Sequence, residues 1–385
     1  MEETTPTPLE ALLMERIRAR GPIPFAEYMA ACLYEPGLGY YTSSGRKVGA
    51  EGDFYTSSNV HEVFGRLIAR ELCRMWESMG EPPEWSVVEV GAAGGRLARD
   101  ILDAVALLNP VLYDRLTYRL IEAEPSLVEV QRQMLAGHEA RLAWSTPAEL
   151  AAGEIRFVGC LLSNELIDAF PVHVVEMTAE GVREVFVTAT EDGLAELVAP
   201  PSTPELEAYL VRFGATLCVG QRAEVNLGAL SWLGGVARAL ERGFVLTIDY
   251  GYAAAELYGP LRMNGTLLCY WRHTVEDDPL RRPGEQDITS HVNFTALAEE
   301  GKALGLDTVW FGEQYRFLMG AGMMTELLAL EASAGSEEAR LKNRLALKKL
   351  ILPDGGMGDT FKVLVQAKGV SAPRLLCMGE WGNHG

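Results

Sequence analysis

Three points where apolar runs of this 385-residue chain stop carry residue types that could do chemistry. At the first, Val87-Val88-Glu89-Val90 runs into Gly91-Ala92-Ala93-Gly94-Gly95, with a helical apolar pattern from Leu97 onward. Glycines let a backbone turn sharply after a strand and let a ligand approach it, and the following helix offers free N–H groups. The usual spacings are G-x-G-x-G and G-x-G-x-x-G; here Ala93 replaces the middle glycine and Gly94 is extra. A tight strand-to-helix turn without a ligand fits the same residues. The second is Glu122, at the end of an apolar run from Leu116 to Ile121. A carboxylate there accepts hydrogen bonds from both hydroxyls of a ribose. It lies 31 positions beyond Gly91, more than the roughly 20 of a dinucleotide fingerprint, and a long helix with the Asn109-Pro110 turn absorbs the excess. The third is Asn164-Glu165 with Asp168, following the buried run Phe157 to Leu162. Polar groups at the carboxyl end of a buried strand face the ligand crevice of a doubly wound sheet; helix capping is the plainer alternative. His291 and His273 are tempting bases, although a lone histidine is more often a structural hydrogen-bonding group.

The elements that must position these groups follow from periodicity and punctuation. Helices are expected near 8–19, 25–33 and 60–79, then after Gly95, from Pro125 to Gly137, and after the Thr146-Pro147-Ala148-Glu149 capping box. Further helices are expected at about 205–213, 229–241, 294–304, 315–330 and 336–349. Buried strands are expected at 87–90, 116–121, 142–144, 157–162, 244–248 and 361–366, with a strand-like stretch at 308–311. Residues 172–199 alternate apolar and polar, an antiparallel β excursion, and 252–293 form a Gly/Pro-punctuated insertion covering the strand ends.

The net charge of −19 disfavours phosphate backbones and anionic lipid surfaces, so neither nucleic acid nor a membrane is an expected partner. It suits a cationic acceptor equally with general solubility. No apolar run reaches the ~18 residues of a spanning helix, and the Met-Glu-Glu start lacks a signal-peptide pattern. Six scattered cysteines without a C-x-x-C pair read as reduced, buried thiols. A cytoplasmic location is expected on these grounds. There is neither a phosphate loop nor a metal-ligand cluster, and no metal is expected. The absence of a second mononucleotide-binding half, with a closing antiparallel strand pair, favours S-adenosyl-L-methionine over a nicotinamide cofactor.

Motifs across the chain resemble one family of S-adenosylmethionine-dependent methyltransferases. It is the family that includes the mitochondrial complex I assembly factor, an arginine methyltransferase of the mitochondrial dysfunction protein A type, with many bacterial relatives. The matching stretches are Gly21-Pro22-Ile23, Gly39-Tyr40-Tyr41, Gly52-Asp53-Phe54-x-Thr56-Ser57, Phe64-Gly65 and Glu89-x-Gly91. Further along come Asn164-Glu165-x-x-Asp168-Ala169-x-Pro171, Asp249-Tyr250-Gly251 and Gly265-Thr266-Leu267. The last are Asp287-Ile288-Thr289-x-His291 and Met357-Gly358-x-x-Phe361-Lys362-Val363.

The resemblance implies a Rossmann-like, class I α/β methyltransferase sheet with a helical N-terminal arm and inserted antiparallel β and loop segments. It implies S-adenosyl-L-methionine as cofactor. Gly91, Ala93 and Gly95 would pass under it, Glu89 would hold its methionine amine, Glu122 its ribose, and Thr56 and Ser57 would close over the methionine end. Asn164 would face the methyl group. Glu165 and Asp168 would orient a guanidinium, with His291 or Asp287 as a further contact. The expected acceptor is a protein arginine, on a respiratory-complex subunit if the relatives' role carries over. Alternatives are a small-molecule O- or N-methyltransferase and an assembly factor that binds cofactor without turnover. The expected divisions are an arm and covering loop (1–80), the first half of the core (81–171), a β/helical insertion (172–221), core (222–251), a substrate-side insertion (252–293), the end of the core (294–370) and a tail (371–385). The β excursion offers an edge for a homodimer.

Overall fold

In a computed structural model, residues 6–43, 61–272, 274–352, 358 and 360–379 are described. Thr56, Ser57 and His273, and with them the whole Gly52-Asp53-Phe54-x-Thr56-Ser57 motif, lie outside the described residues. The strands in chain order are β1 (Ile23–Pro24), β2 (Trp85–Val90), β3 (Leu116–Ile121), β4 (Leu142–Ser145), β5 (Phe157–Asn164), β6 (His173–Thr178), β7 (Gly181–Ala189) and β8 (Leu194–Ala199). They continue as β9 (Arg222–Val225), β10 (Leu240–Tyr252), β11 (Leu268–Trp271), β12 (Thr274–Glu276), β13 (Asp287–Thr289), β14 (Val292–Asn293), β15 (Asp307–Glu313) and β16 (Phe361–Lys368). The chain divides into two compact units: one of Met1–Phe54, Ile167–Ser231 and Gly251–Leu297, the other of Tyr55–Leu166, Trp232–Tyr250 and Ala298–Gly385.

The second unit holds the main sheet, in the order β15-β16-β10-β5-β2-β3-β4. Strands β4, β3, β2, β5 and β10 run parallel, while β16 lies antiparallel between β10 and β15. Parallel strands buried on both faces read as continuous apolar runs, which is why their positions were legible. Helix Val63–Ser78 buries Phe64, Leu67, Ile68, Leu72 and Met75, and helix Arg96–Leu108 buries Leu97, Ile101, Leu102 and Val105. Both contribute to one core with Trp76, Trp85, Val87, Tyr118 and Phe244.

The first unit carries the β excursion as a sheet, β1-β7-β6-β9 with β8 on β7, all antiparallel. A three-stranded sheet, β12-β11-β13, follows from the 252–293 insertion. Helices Pro8–Arg20 and Phe25–Tyr34 pack Leu9, Leu13, Phe25, Tyr28 and Met29 into a core with Val172, Val185 and Val187.

Several boundaries differ from expectation. Asn109-Pro110 opens a helix, Pro110–Arg115, whose Leu112 N–H donates to the Asn109 Oδ1 at 3.0 Å. The helix expected over 315–330 is two, Gln314–Gly320 and Met323–Ser333, broken where Gly322 takes φ +106°. The helix expected to end near 241 is Leu227–Ala239, and β10 begins at once with Leu240. All six cysteines are outside disulfides; five are buried and Cys218 is exposed. Among the described residues no helix is long and apolar enough to cross a membrane.

Candidate active site

In the sheet-bearing unit, β2 lies between β3 and β5, with Val90 opposite Ile121 on one side and Ser163 on the other. The residues that follow, Gly91, Glu122 and Asn164, therefore stand at neighbouring strand ends. Gly91 is exposed at φ +77°, and a Cβ on it would lie 3.0 Å from the Leu166 side chain. The turn continues with Ala93 at φ +46° and Gly95 at φ +83°. Ala93 thus adopts the left-handed conformation that glycine takes without strain, at a cost of roughly 1 kcal/mol.

The Glu122 Oε1 accepts the N–H groups of Ala123 (2.9 Å) and Glu124 (3.0 Å). Its Oε2 accepts from the Gln131 Nε2 at 3.1 Å. Both oxygens are thereby fixed in position, and Oε2 keeps a lone pair for a ribose hydroxyl. Glu89 sits deeper. It is buried, accepts the Tyr118 hydroxyl at 2.7 Å, and burial pushes its carboxyl up to about 7 against the pull of that bond.

The β5 tip is no helix cap: residues 165–170 form a turn. Glu165 takes φ +53°, its N–H donates to the Ile248 carbonyl at 2.9 Å, and its Oε1 accepts the Asn164 Nδ2 at 3.2 Å. The Tyr250 hydroxyl reaches the Glu165 Oε2 at 3.4 Å, and the Tyr250 ring packs 4.1 Å from that of Phe361. Buried Asp249 holds the turn from below, accepting the N–H of Leu166 at 3.2 Å. Neither Asp249 nor Tyr250 was singled out as a site residue by sequence; the signal was their place after the β10 apolar run. The Ser163 Oγ and Asn164 Oδ1 are buried and have no hydrogen-bond partner among the described residues. Buried polar atoms of that kind are rare in a finished interior and common where a ligand completes the site. The exposed glycine, the fixed carboxylate and these two atoms fit an adenosyl ligand.

The remaining candidates belong to the first unit. Asp168 is buried and its carbonyl accepts the Ser290 N–H at 2.9 Å. Buried Asp287 accepts the Tyr41 hydroxyl on Oδ1 at 2.9 Å, and Tyr34 donates to the Ala169 carbonyl at 2.9 Å. Burial and then Asp287 raise the Tyr34 and Tyr41 phenols well above their usual range, so both stay hydroxyl donors. The His291 N–H donates to the Thr266 Oγ1 at 3.0 Å, and Thr266 itself is held by Glu224 through two 2.9 Å bonds. Gly265 at φ +75° is required here, because a Cβ would lie 2.1 Å from the Glu224 Oε1. Burial, then Arg262, pull the His291 imidazole down to about 4, so it is neutral at neutral pH. Among the described residues no group of three or more His, Cys, Asp and Glu is placed to hold a metal.

Comparison with known proteins matches residues 67–312 to the Methyltransf_28 model, S-adenosyl-L-methionine-dependent methyltransferases. A COG1565 superfamily protein of Burkholderia thailandensis, solved bound to S-adenosyl-homocysteine, is 32% identical with a TM-score of 0.87, covering 98% of each chain. Mouse "Protein arginine methyltransferase NDUFAF7, mitochondrial" is 28% identical, covering 94% of this chain and 84% of its own. The human protein of the same name is 28% identical, covering 93% and 83%. The expected Rossmann-like methyltransferase fold and S-adenosyl-L-methionine as cofactor are thereby supported. The cytoplasmic expectation is overturned: the named mouse, fly, rat and human relatives are mitochondrial proteins. Reduced, buried thiols do not separate one reducing compartment from another.

Proposed function

Because this chain belongs to the Methyltransf_28 family of S-adenosyl-L-methionine-dependent methyltransferases, we propose that its methyl acceptor is an arginine guanidinium of a protein. The observation that carries the reading is the pair of acidic residues that follow β5, Glu165 and, three residues on, Asp168, with the buried Ser163 Oγ and Asn164 Oδ1 at the strand end without a hydrogen-bond partner among the described residues. The arginine methyltransferase names of the mouse and human relatives support the same acceptor.

When bound, the cofactor supplies an electrophilic methyl group on a sulfonium. The protein's part is alignment, since an in-line displacement gains most from holding the attacking nitrogen behind the methyl carbon. A guanidinium is a planar fork that carboxylates bind through paired hydrogen bonds. Glu165, fixed by Asn164, Tyr250 and its own left-handed backbone, offers one oxygen to that fork. Asp168 offers a second carboxylate. Negative charge there also stabilises the extra positive charge that develops as the nitrogen becomes bonded to carbon, and the proton then released passes to solvent or a carboxylate. His291, neutral, accepts a hydrogen bond without repelling the cation. Glu89, Gly91, Ala93, Gly95, Glu122 and Asn164 form the cofactor side of the site in this reading; Thr56 and Ser57 complete it from outside the described residues.

The test is a proteome-wide comparison of arginine methylation in cells with and without the protein. The expected result is a small set of arginines that lose methylation and regain it with the purified protein and labelled cofactor. Loss of a methylated small molecule, with every arginine site unchanged, contradicts the reading.

A further inference from the structure

Gln131 is completely buried on helix Pro125–Met134, an unexpected place for an amide. Its Oε1 accepts the Trp144 indole N–H at 2.9 Å. Its Nε2 donates to the Ala93 carbonyl at 2.8 Å and to the Glu122 Oε2 at 3.1 Å. The orientation of the amide is unambiguous, because an indole only donates, while a carbonyl and an ionised carboxylate only accept. Trp144 is itself covered by the Arg132 guanidinium, 4.2 Å from the ring centroid. The aliphatic part of Gln131 also lies against the turn: a Cβ on Gly95 would sit 3.5 Å from the Gln131 Cγ. One side chain therefore bonds to the glycine turn and to the carboxylate at the next strand end, and both partners belong to the adenosyl side of the site.

We propose that Gln131 is a positioning residue for the adenosyl group. It holds the Ala93 carbonyl so that a turn bearing alanine keeps the shape glycine would take, and it fixes the Glu122 carboxylate for the ribose hydroxyls. This rests on the reading of Glu122 as the ribose acceptor. It also explains how this chain tolerates Ala93 at φ +46°: the left-handed peptide is anchored by a buried donor. The site is thus preset before ligand arrives, so less ordering is lost on binding.

The test is calorimetric titration of the full-length protein with S-adenosyl-homocysteine and with its 2′-deoxy analogue. Wild type is compared with Glu122→Gln, Gln131→Met, Ala93→Gly and the Gln131→Met, Ala93→Gly pair. Gln131→Met keeps the volume and removes the hydrogen bonds. Its expected effects are roughly tenfold weaker binding of the ribose ligand and loss of most of the preference over the deoxy form. In the pair, Ala93→Gly is expected to restore several-fold of the affinity that Gln131→Met loses. A packing role without positioning would not move the ribose preference or respond to position 93. If Gln131→Met does not fold, Trp144→Phe replaces it, since that change frees the amide while Gln131 stays. Glu122→Gln weakened and undiscriminating, with the Gln131 and Trp144 variants like wild type, overturns this inference alone. Glu122→Gln binding both ligands like wild type overturns the ribose reading and this inference together.

Discussion

Glu89 shows how much a single group depends on what surrounds it. The family resemblance implies that it is a partner for the methionine amine; it is buried, bonded to Tyr118, with its carboxyl pushed up to about 7 by burial. If it holds an ammonium, it does so in its ionised form, so cofactor affinity should rise as pH climbs through about 7. Glu89→Gln should flatten that rise, measured by titration at several pH values; an unchanged profile would remove Glu89 from the cofactor site. Ala93 is a second case. Its left-handed backbone makes Ala93→Gly a stabilising change of about 1 kcal/mol, partly offset by the greater freedom of glycine in the unfolded chain. Thermal unfolding tests this, and a fall in stability would mean that the turn is not strained. Gln131 was invisible beforehand because a glutamine on an amphipathic helix reads as surface, and nothing in its spacing marks the three partners it meets.

At the scale of elements, the strand ends were legible because apolar runs stop at them. Phe157 to Leu162 pointed to Asn164, and Leu116 to Ile121 pointed to Glu122, as β5 and β3 bear out. What spacing could not give was backbone conformation after the tip, such as Glu165 at φ +53°, which depends on its N–H reaching Ile248 on β10. Helix ends failed for a related reason. Apolar periodicity runs on through Gly320 and Gly322, yet the helix stops at Gly320, where an added Cβ would lie 2.8 Å from the Leu376 carbonyl oxygen, and Gly322 takes φ +106°. The Phe64-Gly65 motif has a mechanical reading of this kind. A Cβ on Gly65 would lie 2.6 Å from the Asp100 Cβ, where helix Val63–Ser78 crosses helix Arg96–Leu108. Gly65→Val should therefore cost about 2–3 kcal/mol by overpacking, read as a lowered denaturation midpoint with an unchanged slope. A midpoint equal to wild type would show that the helices separate freely.

For the whole molecule, buried carboxyls give stability a pH dependence whose sign can be worked out. Glu71 and Glu89 are raised by burial from 4.5 to about 7, so their protonated forms favour the folded state. Their contribution is fully present below about pH 4.5 and lost as pH rises through about 7, roughly 3 kcal/mol for each. His291 acts in the opposite sense: lowered to about 4, it contributes above pH 6.5, and that contribution is lost as pH falls through about 4. The double variant Glu71→Gln, Glu89→Gln should show a flatter melting temperature between about pH 5 and pH 8 than wild type. A steeper curve would contradict the burial of these groups. Elsewhere the charge of −19 was read from composition as compatible with a cationic acceptor and equally with general solubility.

The most direct measurement follows methyl transfer from labelled S-adenosyl-L-methionine to an arginine-bearing acceptor protein by wild type, Glu165→Gln and Asp168→Asn, with cofactor binding measured on the same samples. The account predicts turnover reduced roughly 100-fold or more in both variants, with cofactor affinity retained. Full methylation by both variants would contradict it.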